Sequence, residues 1–247
     1  MFKKIFYPLQ KKASAKNTTR VSRLQIIEKE QHHITRNNIP KNVLKILARL
    51  QDKGYSSYLV GGSVRDILLG HTHKDFDVAT DATPTQIKAI FRNAYIIGRR
   101  FKLVHVRFGK DIIEVTTFRA NKPTSFLSRF SSKHKRNAAG FLLKDNVYGS
   151  IEDDASRRDL TINALYYDAK SQAIHDYTGG IADLTKRELN IIGDPAVRYQ
   201  EDPVRILRIV RFAAKLNFSI ATASAKPISS KADLLLNVSP SRMYHEA

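Results

Sequence analysis

The chain has 247 residues, 42% of them apolar, enough to bury a core in one large or two small domains. Its formal net charge of +19 exceeds what solubility requires and points to a polyanionic partner. There is no cysteine, which excludes disulfides and thiolate metal sites, and no apolar run approaches the ~20 residues of a membrane-spanning helix.

Residues 1–37 hold nine Lys/Arg against two Glu and few large apolar side chains, so 1–38 reads as a disordered basic arm. It lacks the apolar core of a secretory signal; an organelle-targeting role and plain solvated surface both stay open for it. Val43, Ile46, Leu47 and Leu50 then mark an amphipathic helix. A short strand at 57–60 is stopped by Gly61-Gly62, and Ser63 can cap a helix over 63–69. A strand at 75–80 precedes Thr83-Pro84, a capping residue with proline at the first helical position. Ala94–Ile97, Leu103–Phe108 and Asp111–Phe118 read as strands, the last two as a hairpin. Residues 120–147 hold six Lys/Arg against one Asp with many breakers and read as a mobile basic loop, or as solvated surface. A helix over about 158–165 and strands near 166–168 and 173–176 follow. A last helix opens after Asp202-Pro203, with Ile206, Ile209, Val210 and Ala213 as its apolar stripe.

The chemistry concentrates in three clusters. The first is Gly61-Gly62, Arg65 and Asp75-Phe76-Asp77. On a strand, Asp75 and Asp77 would share a face. Two parallel carboxylates repel unless a cation sits between them. Hard oxygen ligands beside a phosphate substrate suit Mg²⁺. The glycines let a triphosphate approach backbone N–H groups, and Arg65 can neutralise its charge. The second is Arg157-Arg158-Asp159 with Asn163, which a helix would place on one face. The third is Asp202, Arg205 and Arg208, stepping by three along one side of the last helix. Taken singly, each fits a turn, a loop edge or a solvated helix face.

In this order and spacing the clusters resemble the class II nucleotidyltransferases of the polymerase-beta-like superfamily, which comprise bacterial poly(A) polymerases and tRNA CCA-adding enzymes. The resemblance runs from about residue 40 to the end. It implies an α+β fold: a polymerase-beta-like nucleotidyltransferase head, a small mixed sheet with helices over 39–178, followed by an α-helical neck over 179–247. The family pattern continues beyond the last residue here, so the neck is expected to be cut short. Two-metal phosphoryl transfer asks for a third carboxylate. The family's third acidic position falls in Ile-Ile-Glu-Val-Thr-Thr-Phe-Arg (112–119), which makes Glu114 the candidate; Asp111 competes but has a structural reading at the hairpin turn.

The resemblance further implies that Asp75, Asp77 and Glu114 hold two Mg²⁺, with Mn²⁺ a substitute. Gly61, Gly62 and Arg65 would cradle the triphosphate. Arg158, Asp159 and Asn163 would contact ribose and triphosphate, leaving Arg157 peripheral. Asp202 and Arg205 would read the incoming base, with Arg208 a phosphate or support residue. Ile-Ile-Gly-Arg-Arg-Phe-Lys-Leu-Val-His-Val (96–106), Asn-Ala-Leu-Tyr-Tyr-Asp (163–168) and Tyr-Gln-Glu-Asp-Pro-Val-Arg (199–205) look like the poly(A) polymerase branch. The expectation is a cytoplasmic, template-independent polynucleotide adenylyltransferase that adds AMP from ATP to single-stranded RNA 3′ ends, serving RNA polyadenylation and turnover. The alternatives are a CCA-adding enzyme and an inactive relative that only binds RNA.

Overall fold

A computed structural model describes residues 24–98, 102–120 and 147–246. Among the described residues, ten strands and ten α-helices follow in chain order. They are β1 (Gln25–Ile27), α1 (Lys41–Asp52), β2 (Ser57–Val60), α2 (Gly62–Leu68), β3 (Asp77–Thr80), α3 (Pro84–Ile90), β4 (Ala94–Ile97), β5 (Leu103–Phe108) and β6 (Asp111–Thr117). Then come α4 (Ile151–Arg157), β7 (Leu165–Tyr167), β8 (Ile174–Asp176), α5 (Gly180–Lys186), β9 (Glu188–Leu189), α6 (Pro195–Glu201), α7 (Val204–Leu216), β10 (Ser219–Ile220), α8 (Thr222–Ala225), α9 (Ile228–Lys231) and α10 (Pro240–Glu246).

Eight strands form one mixed sheet in the order β1-β8-β7-β2-β3-β6-β5-β4. β3 and β6 are parallel, and the hairpin β5–β6 turns at Gly109, whose positive φ suits the tight reversal. Alternation along the strands divides the apolar residues between two faces. Leu59, Val78, Val104, Val106 and Val115 pack with the buried stripe of α1, namely Val43, Ile46, Leu47 and Leu50, and with Val64 and Ile67 of α2. The other face carries a smaller cluster of Val60, Ala79, Phe118 and Tyr166 under Ala155 of α4. This is the expected α+β architecture, and the strands at 57–60, 94–97 and 103–108 fall where the sequence places them.

Four expectations change. The basic arm does not extend to 38. Ile27 and Ile34 are buried, and β1 pairs antiparallel with β8, so 24–38 is an edge of the head; only 1–23 lie outside the described residues. The helix expected at 158–165 lies earlier, at Ile151–Arg157. Ser150 accepts from the Asp153 N–H, Asp153 reciprocates, and three acidic residues occupy the first turn. Residues 161–163 form only a 3₁₀ turn before β7, so Asp159 and Asn163 share no α-helical face. The third cluster does not run along one side of a single helix: Arg205 and Arg208 lie on α7, but Asp202 sits in the extended link between α6, capped by Asp194, and α7. Finally, residues 179–246 are not purely helical, since β9 and β10 form a parallel pair. They are also tied to the head: the Thr161 N–H donates to the Asn190 carbonyl, and a Cβ at Gly180 would collide with the Thr161 carbonyl. Arg99, Arg100 and most of the 120–147 loop lie outside the described residues; Arg119 and Tyr148 pair where that loop leaves and rejoins the head.

Candidate active site

β3 begins at Asp77, so Asp75 reaches the site from the preceding loop and not by strand alternation. Asp77 is in register with Glu114 on the parallel strand β6. Register partners project from one face, and this pair sets two carboxylates side by side. The Asp77 carboxylate has no hydrogen-bond or ion-pair partner among the described residues, while Glu114 has His105 Nε2 at 3.9 Å. Burial pushes the Asp77 carboxyl up to about 6, and the charges of Glu114 and Asp75 act in the same direction. The nearby cations Arg158 and His73 offset this only in part.

Gly61 sits beside this acid at the start of α2, with φ of 76° and ψ of −139°, a conformation open to glycine. A Cβ at Gly61 would lie 3.7 Å from Arg158 Nη1 and 3.9 Å from Asp77 Oδ2. A Cβ at Gly62 would lie 3.4 Å from Arg65 Nη2 and 3.5 Å from His73 Cε1. The two glycines thus bare backbone between one carboxylate and two guanidinium groups, the chemistry of a phosphate cradle.

Arg65 and Asn163 come together although 98 positions separate them. Arg65 is buried, donates to Asp66 and Asn163, and lies over the Phe212 ring of α7 at 4.8 Å. Its partners are internal, so it braces the cradle and does not stand free above it. Arg158 donates to Asp154 and to the Tyr166 hydroxyl at 2.9 Å while part of its side chain stays exposed. Asp159 pairs with Arg208 at 2.6 Å and caps the Leu160 N–H. Burial alone would raise its pKa, but Arg208 holds it below the ordinary range.

Arg208 also meets Glu246, and Asp202 meets Arg242, so α10 touches both. Asp202 Oδ1 and Arg205 Nη1 are buried without hydrogen-bond partners, although a second Arg205 nitrogen donates to the Arg157 carbonyl. Asp202 Oδ1, in the link before α7, and Arg205 Nη1, in its first turn with only Glu201 Oε2 at 4.0 Å, offer an acceptor and a donor that suit a ligand edge presenting the complement.

Several contributors escape sequence reasoning. Asp154 is the largest: it accepts from the Arg119 N–H, Arg157, Arg158 and the Tyr166 hydroxyl. The signal was present, because Asp154 stands three and four residues before the two arginines on one helix. Arg198 donates to the carbonyls of Arg157 and Arg158 and so fixes the segment that carries them. His73 and Asp66 pair at 2.8 Å beneath the cradle.

Among the described residues, no group of three or more His, Asp and Glu side chains closes into a metal cage. Mg²⁺ seldom uses one. It binds through one or two carboxylates and completes its shell with water and substrate phosphates. The mutually repelling Asp77 and Glu114, the first without a side-chain partner among the described residues and the second with only His105 at 3.9 Å, and with Asp75 beside them, fit that demand.

Residues 57–190 match the poly A polymerase head domain. The chain is 52% identical to poly(A) polymerase I of Salmonella typhi over 224 residues, which is 91% of this chain and 48% of that protein. It is 36% identical to the CCA-adding enzyme of Bacillus pumilus over 201 residues, 81% of this chain and 47% of that one. The fold is similar to a Bacillus stearothermophilus CCA-adding enzyme in complex with CTP, with a TM-score of 0.70 and 33% identity, covering 83% of this chain and 46% of the other. It is also similar to a tRNA nucleotidyltransferase complexed with a primer tRNA and an incoming ATP analogue, at a TM-score of 0.63 and 28% identity, covering 81% and 54%. The chain spans about half the length of the curated relatives it matches.

Proposed function

From the premise that this chain belongs to the poly A polymerase head-domain family, we propose that it is a template-independent polynucleotide adenylyltransferase, adding AMP from ATP to single-stranded RNA 3′ ends and releasing pyrophosphate. The observation that carries this is the Asp77–Glu114 pair, in register on adjacent parallel strands and beside the bare backbone of Gly61. The identity to poly(A) polymerase I relatives, higher than that to the CCA-adding enzyme of Bacillus pumilus, supports the choice of ATP. Those bacterial relatives support a cytoplasmic location, and no helix among the described residues is long and apolar enough to cross a membrane.

In this reading Gly61 and Gly62 receive the triphosphate against their backbone, and Arg158 neutralises it with the exposed part of its guanidinium. Arg65 acts through Asn163 and Phe212 to hold α2 against α7. Asp75, Asp77 and Glu114 would hold divalent cations, two Mg²⁺ with Mn²⁺ a substitute. When bound, the ions favour loss of the proton from the attacking hydroxyl and neutralise the leaving pyrophosphate. Asp202 and Arg205 read the base edge, and the pair of Asp159 with Arg208 fixes α7, which carries Arg205 and follows the link that carries Asp202. The test is incorporation into an RNA primer with each nucleoside triphosphate separately. ATP alone should support long extension. Extension that needs CTP and ATP together on a tRNA lacking its end would assign the chain to CCA addition. Mg²⁺-independent RNA binding without incorporation would leave it an inactive binder.

A further inference from the structure

The row of residues that holds Asp77 and Glu114 continues across two more strands. Glu114 is in register with His105 on β5, and His105 with Tyr95 on β4. Strands stand about 4.8 Å apart, so Tyr95 lies on the order of 10 Å beyond Glu114 on the face of the carboxylates. The short approach of His105 to Glu114 fixes that direction.

The two ends of the row differ. Toward β2 and β7 it runs into Val60 and Tyr166, 1% and 0% exposed beneath α4. Toward β5 and β4 it lies open. Tyr95 is 57% exposed, and Ile112, two residues before Glu114 on the same face of β6, is 58% exposed. Ile112 is in register with Arg107, an exposed cation on β5.

Reaction geometry makes the difference directional. In phosphoryl transfer the attacking and leaving oxygens stand roughly in line on opposite sides of the phosphorus. Under the proposed function, on which this inference rests, the pyrophosphate lies by Gly61, Gly62 and Arg158, on the β2 side of Asp77. The attacking 3′ oxygen then lies on the Glu114 side, and the RNA behind it must leave across β5 and β4, since the other end of the row is closed. We propose that the open face of β4, β5 and β6, centred on Tyr95, His105 and Ile112, is a stacking platform for the last bases of the RNA 3′ end. Every base has a π-face, so an aromatic and aliphatic platform grips a strand without reading its sequence, as successive additions to a growing tail demand. Arg107 supplies a charge complementary to the phosphates.

Two experiments on the full chain test this. In the first, an oligoadenylate with 4-thiouridine next to its 3′ end is cross-linked in the presence of Mg²⁺ and the adducts are mapped; they should fall within 94–114. Adducts confined to other elements overturn the platform. In the second, the Tyr95→Ala/Ile112→Ala double variant changes only exposed side chains, so its melting temperature should match that of the unaltered protein. Its affinity for oligoadenylate should fall about tenfold at every salt concentration. The slope of log K against log salt should not change, because stacking releases no counterions. The KM for RNA should rise in parallel while the KM for ATP and kcat stay within about twofold, and restoring Tyr95 as Phe should recover most of the loss. Unchanged RNA affinity in the double variant overturns the proposal, as does an altered self-association that leaves RNA binding intact. Both readouts are independent of turnover. Cross-links on this face without AMP incorporation would support the platform while overturning adenylyl transfer.

Discussion

Two sets of aspartates flank Arg158 and are treated in opposite ways. Asp154 is buried and Asp159 largely so, but both are met by arginines, which hold their carboxyls below the ordinary range despite desolvation. Asp77 is also withdrawn from water, yet it faces Glu114 and Asp75, and its carboxyl rises to about 6. A buried acid answered by arginine is part of the framework. One answered by another acid is a cost that a bound cation would relieve. The difference separates what holds the site from what the site is for, and each half can be broken alone.

The largest effect should come from Asp77→Asn. The substitution keeps the shape and removes the charge. Groups that stabilise a transition state electrostatically are each worth on the order of a hundred- to thousandfold, so AMP incorporation should fall at least that far. Thermal stability should hold or rise, because repulsion with Glu114 and Asp75 is relieved. Primer extension beside a thermal melt checks both; near-normal extension by the folded variant would remove Asp77 from the metal site.

Asp154→Ala should show the reverse profile. Removing one partner of a buried charge network leaves the others uncompensated, at a cost of about 3 kcal/mol. Arg157, Arg158, the Tyr166 hydroxyl and the Arg119 N–H all lose their acceptor. Denaturant unfolding should register the loss, and activity should fall with it because Arg158 is no longer aimed at Gly61. An unchanged midpoint would mean that the arginines find other acceptors.

The same contrast explains how much was legible in the sequence. The strands and α1 follow from periodicity, because each buries one face against one layer. The proposed metal-side acids could be named from the sequence because Asp75 and Asp77 fall within one motif and Glu114 falls mid-strand at the third acidic position that the resemblance implies. The framework was not. Arg65 to Asn163 spans 98 positions and Asp159 to Arg208 spans 49, and no local pattern signals which arginine meets which acid. Helix periodicity failed at 158–165 for a local reason: the capping box at Ser150 and Asp153 starts α4 early, and the chain must then turn into β7. The arm boundary failed because three residues of edge strand carry too little apolar signal. Ile27 is buried only once β8 is beside it.

A smaller effect tests the sign of the Asp77 shift. A carboxyl whose pKa is raised on folding binds more protons in the native state between about 4 and 6, so metal-free stability should fall as pH rises through that window. The size is roughly 3 kcal/mol for a shift of about two units, and Asp77→Asn should abolish it. Asp154 and Asp159 work the other way: their lowered values give stability that is present above pH 4 and lost as pH falls below it. Unfolding curves of the two proteins without divalent ions, at pH 4 and pH 7, should therefore diverge only at the higher pH. Added Mg²⁺ should stabilise the unmodified protein more at pH 7 than at pH 5. Parallel pH profiles would show that Asp77 is not held against its own charge.

The smallest effect concerns base choice, where framework and ligand chemistry meet in one pair. Arg205 donates from one nitrogen to the Arg157 carbonyl and keeps Nη1 buried without a hydrogen bond, 4.0 Å from Glu201 Oε2, while Asp202 Oδ2 accepts from Arg242 and its Oδ1 has no hydrogen-bond partner. Adenine presents its N6 amino donor beside the N1 acceptor, which matches a free carboxylate oxygen and a free guanidinium nitrogen. A base with the reversed pattern leaves both groups buried and unpaired, and that is the source of rejection. Cytosine offers the same pattern on a smaller ring, so this pair excludes GTP and UTP more firmly than CTP. Arg205→Ala should lower kcat/KM for ATP by about tenfold and for GTP by less, because only the matching base loses a hydrogen bond. Measuring kcat/KM for all four triphosphates in both proteins decides it. A uniform drop across the four would mean that Arg205 serves as framework, like Arg65, and that the base is read elsewhere.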